Sequence, residues 1–151
     1  MIVYRISMAI HADKLVASGN PARWNSKDVK LIYTSSSRAL ACLENIVHRS
    51  SRGLNEQFRT ILVEIPENLM IERIDKTILK KDWHEFHNIF YTRKLGDQWI
   101  AKGNTAVLRV PSVIIPEEHN FLINSAHKDF SKIKYLANEP FEFDSRLKDR
   151  K

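Results

Sequence analysis

The sequence predicts an α+β fold, a compact single domain built on a mixed β core. Three observations lead there. Short apolar runs of strand length outnumber the stretches with helical periodicity. The strands are spaced too irregularly for a doubly wound parallel sheet, and neither GxGxxG nor a P-loop motif is present. At 151 residues, 43% hydrophobic and 28% charged, the chain is an ordinary globular sequence with room for one core.

The elements follow in order. Residues 2–7 alternate apolar and polar and read as a first strand rather than a signal peptide, since no basic region precedes them. Residues 29–34 (VKLIYT) form a second strand. Ser35-Ser36-Ser37 then offers an N-cap to a helix over residues 38–48, with Ala39, Leu40, Leu43, Ile46 and Val47 at helical spacing. Residues 60–65 (TILVEI), stopped by Pro66, read as a buried strand, and 69–74 as a weaker one. An amphipathic helix fits 92–102, ended by Gly103-Asn104. Residues 106–110 and 112–115 read as a strand pair or as one strand kinked at Pro111. Residues 133–136 and 141–143 are short late strands. All of 1–151 is read as one domain, with 145–151 as a basic tail.

Composition narrows the function classes. No apolar run approaches the roughly 20 residues that span a bilayer, so no membrane association is expected. The single cysteine, Cys42, excludes an intramolecular disulfide and fits a reducing cytoplasm. The formal charge of +6 suits an anionic partner. Half of it lies on the last seven residues, where Arg146, Lys148, Arg150 and Lys151 stand against Asp149. The body is only mildly basic, which weakens a nucleic-acid reading and suits a phosphate-binding cleft.

Several side chains could carry chemistry. Glu44 lies one helical turn after Leu40, roughly 40° around the axis at about 100° per residue. It is either a boundary glutamate whose head reaches water or a carboxylate at the mouth of a pocket. Arg23-Trp24-Asn25, in a loop before a strand, sets a guanidinium beside a flat aromatic wall. That pair suits a nucleotide phosphate next to a ring, although a surface arginine beside a core tryptophan is the plainer reading. Tyr33 ends an apolar strand and could be a core residue with a wet hydroxyl. Ser112 has no neighbouring histidine and no GxSxG elbow, so it suits hydrogen bonding better than nucleophilic attack. His84 and His87 do not form HExxH and show no third ligand, so no metal is expected. Glu117-Glu118 reads as a solvated loop pair.

Together the segments YRI, ARWN, LIYTSSSRALACLENIVH, LGDQWIAKG, LRVPSVIIPEEHNFLINSAHKDF and PFEFDSRL resemble the RES domain, in that family's order and over most of the chain. RES domains form the toxin half of a bacterial toxin–antitoxin family and take their name from an arginine, a glutamate and a serine. By this resemblance these fall on Arg23, Glu44 and Ser112, with Tyr33 as a further active-site residue. The chain departs from the family pattern at Pro21-Ala22, where glycines are frequent, and at Ser125, where proline often follows the asparagine.

The resemblance implies a compact relative of ADP-ribosyltransferase toxins, with a cleft that takes NAD as substrate and needs no other cofactor. It implies NAD degradation by phosphorolysis or hydrolysis of the nicotinamide–ribose bond, with inorganic phosphate as a candidate co-substrate, and growth arrest as the result. Some members instead transfer ADP-ribose to a protein. The implied partner is an antitoxin with an Xre-like DNA-binding domain. On this reading Glu44 stabilises positive charge on the ribose, and Arg23 holds a phosphate. Tyr33 stacks on the substrate, Ser112 hydrogen-bonds it, and Arg5, Trp24 and Asn25 add binding contacts. A basic nucleic-acid-binding module without catalysis is the alternative from another class.

Overall fold

The computed structural model describes residues 1–49 and 57–147. Strands β1 (Ile2–Met8), β2 (Leu31–Ser35), β3 (Phe58–Glu64), β4 (Ile71–Arg73), β5 (Val107–Pro111), β6 (His119–Asn124) and β7 (Lys134–Phe141) form one sheet in the order β4-β5-β6-β2-β1-β3-β7. Every pairing is antiparallel except β4 with β5, so the sheet is mixed. Among the described residues two α-helices accompany it, α1 (Arg38–Arg49) and α2 (Ile89–Lys102). This is the α+β architecture expected. Of the basic tail, Ser145–Leu147 forms a short 3-10 turn, and 148–151 lie outside the described residues.

The register sorts side chains onto two faces. Val3, Ile32, Ile61, Val63, Val107, Phe121 and Ile123 share one face and build a buried core with Ala12 and Ile133. The other face carries two separate clusters. Over β1 and β3, Ala41 and Ile46 of α1 pack on Ile6 and Phe58 together with Phe143. Over β2, β5 and β6, three tryptophans (Trp24, Trp83 and Trp99) cover Leu31, Leu108, Val110 and Leu122. Between these clusters the pairing of β1 with β2 is reduced to Tyr4 opposite Ser35.

Local chemistry explains the helix ends. The Ser37 hydroxyl accepts a hydrogen bond from the Leu40 amide at 3.0 Å, which satisfies one of the first-turn amides of α1. At the end of α2, Gly103 adopts φ +61 and its amide reaches the Trp99 carbonyl, the left-handed stop that glycine supplies at no steric cost. The helix begins one turn earlier than its periodicity predicts.

Two expectations are corrected. Residues 112–115 are a bent turn, not a strand. The amides of Ile114 and Ile115 both donate to the Ser112 hydroxyl oxygen, at 3.0 and 3.1 Å, and this local capture replaces ladder pairing. The strand that follows β5 is β6, whose short FLI run lacks alternation because Asn120 and Leu122 are buried on one face and Phe121 and Ile123 on the other. The two late strands are one, β7. Pro140 lies within it and is tolerated because β7 is an edge strand. Phe141 ends that strand, and Phe143 lies beyond it in the α1 cluster.

Candidate active site

A cleft of about 400 Å³ lies where β1 parts from β2, between the two clusters of the upper face. Arg5 and Tyr33 belong to its floor, and Glu44, Asn45 and His48 of α1 form one wall. Asn20 to Ala22 form the opposite wall. Arg5 bridges the split, donating from Nη1 to the Tyr33 carbonyl at 3.3 Å.

Glu44 is the centre of this cleft. Its side chain is 17% exposed and lines the cleft instead of standing in open solvent. Oε1 accepts from Asn120 Nδ2 at 2.6 Å and from the Ser112 hydroxyl at 2.9 Å. Oε2 lies 3.2 Å from His48 Nε2, one turn further along α1. Burial alone pushes the carboxyl up, but the hydrogen bonds from His48, Asn120 and Ser112, with the His48 charge, outweigh it and hold the group below its ordinary value. Glu44 is therefore a carboxylate at neutral pH despite its burial.

Tyr33 presents its ring to the cleft while its hydroxyl is engaged behind it, donating to Asn25 Oδ1 at 2.6 Å and accepting from the Trp24 amide at 3.1 Å. Burial pushes the phenol up, so it stays neutral. Arg23 is half-buried beside the site and donates from Nη1 to the Glu85 carbonyl. Burial and the neighbouring Arg93 charge lower its guanidinium, while Glu44 acts the other way. Arginine remains charged regardless, so two cations stand close together within electrostatic reach of the cleft.

The loop that carries Arg23 is fastened by α2. Thr92 Oγ1 donates to the Arg23 carbonyl at 2.7 Å, and Arg93 Nε to the Ala22 carbonyl at 2.7 Å. Asp97 accepts from both the amide and the hydroxyl of Ser26. A Cβ at Gly96 would fall on the Trp24 carbonyl oxygen, so only glycine lets helix and loop backbones approach this closely. The LGDxW segment is thus the fastener of the RWN segment, with Trp99 closing the cluster beneath it.

Three sequence candidates have different surroundings from those their motifs suggest. Trp24 is 2% exposed and packs against Trp83, so it is a core ring and not an open wall. Asn25 donates to the carbonyls of Asn20, Ser26 and Val29, and its oxygen takes the Tyr33 hydroxyl, so its amide holds the loop. Ser112 is fully buried and its proton goes to Glu44, so it braces the carboxylate and does not face the cleft. Asn120 and His48, which contact Glu44, went unassigned in the sequence. Asn120 lies inside the quoted RVPS-to-H segment, and His48 carries the i, i+4 spacing from Glu44 that brings side chains together on a helix. His84 and His87 pair at the surface with Glu85 and Asp82. Among the described residues no cluster of His, Cys, Asp or Glu suits a metal ion, and no helix is long and apolar enough to cross a membrane.

Comparison with known proteins bears on the family and the fold. Residues 2–144 match the RES domain family. The chain is 38% identical to the "Prs ADP-ribosylating toxin" of Sphingobium sp. (strain YBL2), over 90% of this chain and 88% of the relative. It is 33% identical to "Toxin Res" of Photorhabdus laumondii, over 97% of each. Its fold superposes with a TM-score of 0.77 on a chain of the crystal structure of the M. tuberculosis MbcT–MbcA toxin–antitoxin complex. That likeness covers 93% of this chain and 84% of the other, at 14% identity.

Proposed function

Since this chain belongs to the RES domain family, we propose that it is the toxin of a toxin–antitoxin pair and that it cleaves the nicotinamide–ribose bond of NAD in the Glu44 cleft. The observation that carries this reading is Glu44 itself, a carboxylate kept ionised by three hydrogen-bond partners while 17% exposed at the wall of the cleft.

Breaking the bond from ribose C1′ to the pyridinium nitrogen returns the electron pair to nicotinamide, which leaves neutral. No strong general acid is needed. The ribose passes through an oxocarbenium-like state, and a fixed carboxylate beside it stabilises the developing charge. The Tyr33 ring offers a flat wall to nicotinamide or ribose. Arg5 and Arg23 supply charge-assisted hydrogen bonds to the pyrophosphate or to an incoming phosphate. The new bond at C1′ forms to phosphate or to water, giving ADP-ribose 1-phosphate or ADP-ribose, in either case with loss of a proton. Falling NAD in the cytoplasm then arrests growth, and an Xre-like antitoxin restrains the toxin.

A second reading, transfer of ADP-ribose to a cellular protein, is favoured by the name of the Sphingobium relative. One assay separates the two. Purified protein is incubated with NAD, with and without phosphate, and products are identified by mass. Release of nicotinamide without any added protein supports NAD degradation, and the product mass identifies the acceptor. Release or labelling only when cell lysate is added favours transfer. No release under either condition, with salt-sensitive nucleic-acid binding, overturns both in favour of a binding module.

A further inference from the structure

We propose that Asn120, locked by Ser35, is a positioning residue that anchors one oxygen of the Glu44 carboxylate and leaves the other for the substrate. This rests on the catalytic reading of Glu44 given above.

Ser35 and Asn120 face each other across the β2–β6 ladder and are 4% and 7% exposed. The Ser35 hydroxyl donates to Asn120 Oδ1 at 2.8 Å. The amide nitrogen is thereby turned toward Glu44 Oε1, 2.6 Å away. An ionised carboxylate only accepts, so the opposite amide orientation would set two acceptors against each other. Oε1 also takes the Ser112 hydroxyl at 2.9 Å. The Ser112 oxygen is itself filled by the amides of Ile114 and Ile115. Both donors to Oε1 are thus fixed from behind by buried partners, one on the sheet and one on the turn after β5.

Oε2 is treated differently. Its contact is His48, 61% exposed on the same helix. A glutamate side chain on a helix has three rotatable torsions, and the Oε1 anchor removes that freedom before substrate arrives. Oε2, whose contact is the solvent-exposed His48 rather than a buried donor, is the oxygen left to meet a ribose.

The test is the charge state of Glu44. Asn120→Asp keeps the size but replaces a donor with a second carboxylate, and two carboxylates at this distance resist joint ionisation. The groups facing Glu44 are His48 on α1, Arg23 on the loop before β2 and the neutral Tyr33 on β2. Of these His48 is in direct contact with the carboxylate, so each variant is read in both the native and His48→Gln backgrounds. The Glu44 signal is followed by carbon-13 NMR of labelled glutamate, assigned with Glu44→Gln. The expected result is an upward move of the Glu44 midpoint by at least about one pH unit in Asn120→Asp. The acid limb of nicotinamide release at saturating NAD should move with it, with kcat lowered more than KM. Ser35→Ala, which frees the amide to turn, should move both in the same direction by less. Should Asn120→Asp fail to fold by circular dichroism, Ser35→Ala and Asn120→Ser decide the matter by the same readouts. Unchanged midpoints in the folded variants overturn the inference. If the protein releases no nicotinamide at all, the NAD reading fails, while the NMR titration still tests the anchor.

Discussion

Glu44 shows how much one side chain depends on its neighbours. Substituting glutamine keeps an oxygen for the Asn120 and Ser112 donors but removes the negative charge. The charge matters more to an oxocarbenium-like state than to bound NAD, so Glu44→Gln should lower kcat by about 10²–10³, roughly 3–4 kcal/mol, and change KM far less. Nicotinamide release at saturating NAD checks this, and a folded variant with full turnover would remove Glu44 from the chemistry. Arg23→Ala should behave in the opposite sense, with KM rising at least tenfold and kcat falling less, because a phosphate anchor is lost. Equal kcat and KM to the native protein would return Arg23 to a surface role. Pattern alone left Glu44 and Arg23 open between a surface role and a cleft role, and it was the resemblance to the RES domain that singled them out. Their partners were not legible in the sequence. Nothing local in RWN says that the Asn25 amide turns back onto three carbonyls of its own loop, or that the Ser112 hydroxyl turns toward a helix 68 positions earlier. Such hydrogen bonds are fixed by tertiary placement.

Elements were legible where one face is buried and the other wet. Helix α1 announced itself through the spacing of its apolar residues, and α2 through Gly103. The pattern failed for β6, which is buried on both faces and so lacks alternation, and for the turn at 112–115, whose β-branched residues imitate a strand. The same limit hid what α2 does with its inner face, where Thr92, Arg93, Gly96 and Asp97 grip residues 22–26. Gly96→Ala is the sharpest probe of that contact. The added methyl meets backbone, which has no rotamer to retreat into, so helix and loop must separate. A cost of about 3 kcal/mol or more is expected, at or above the usual range for overpacking. It should appear as a lower urea midpoint with an unchanged slope. A midpoint equal to that of the native protein would show that helix and loop are not in this close register.

On the scale of the whole molecule, the sheet is continuous on one face and divided on the other. Two clusters, one under α1 and one under the tryptophans, are joined across the split by the single Tyr4–Ser35 pairing, the Arg5 bridge to Tyr33 and the Glu44 hydrogen bonds to Asn120 and Ser112. A ligand that fills the gap touches both halves and should therefore stabilise the fold as a unit. If NAD is that ligand, the slowed Glu44→Gln protein is the form in which to see it, because the substrate persists longer. At 100 times Kd, binding contributes about 2.7 kcal/mol. For a chain of this size each kcal/mol raises Tm by about 2–4 °C, so a rise of roughly 5–10 °C is expected. Nicotinamide alone touches only part of the cleft, so its Kd should be higher and it should raise Tm less at the same concentration. ADP-ribose, which keeps the phosphates, should recover most of the effect in Glu44→Gln and lose it when Arg23→Ala is added. A thermal scan that shows no shift with NAD up to millimolar concentration would mean that the gap between the clusters is not where NAD binds.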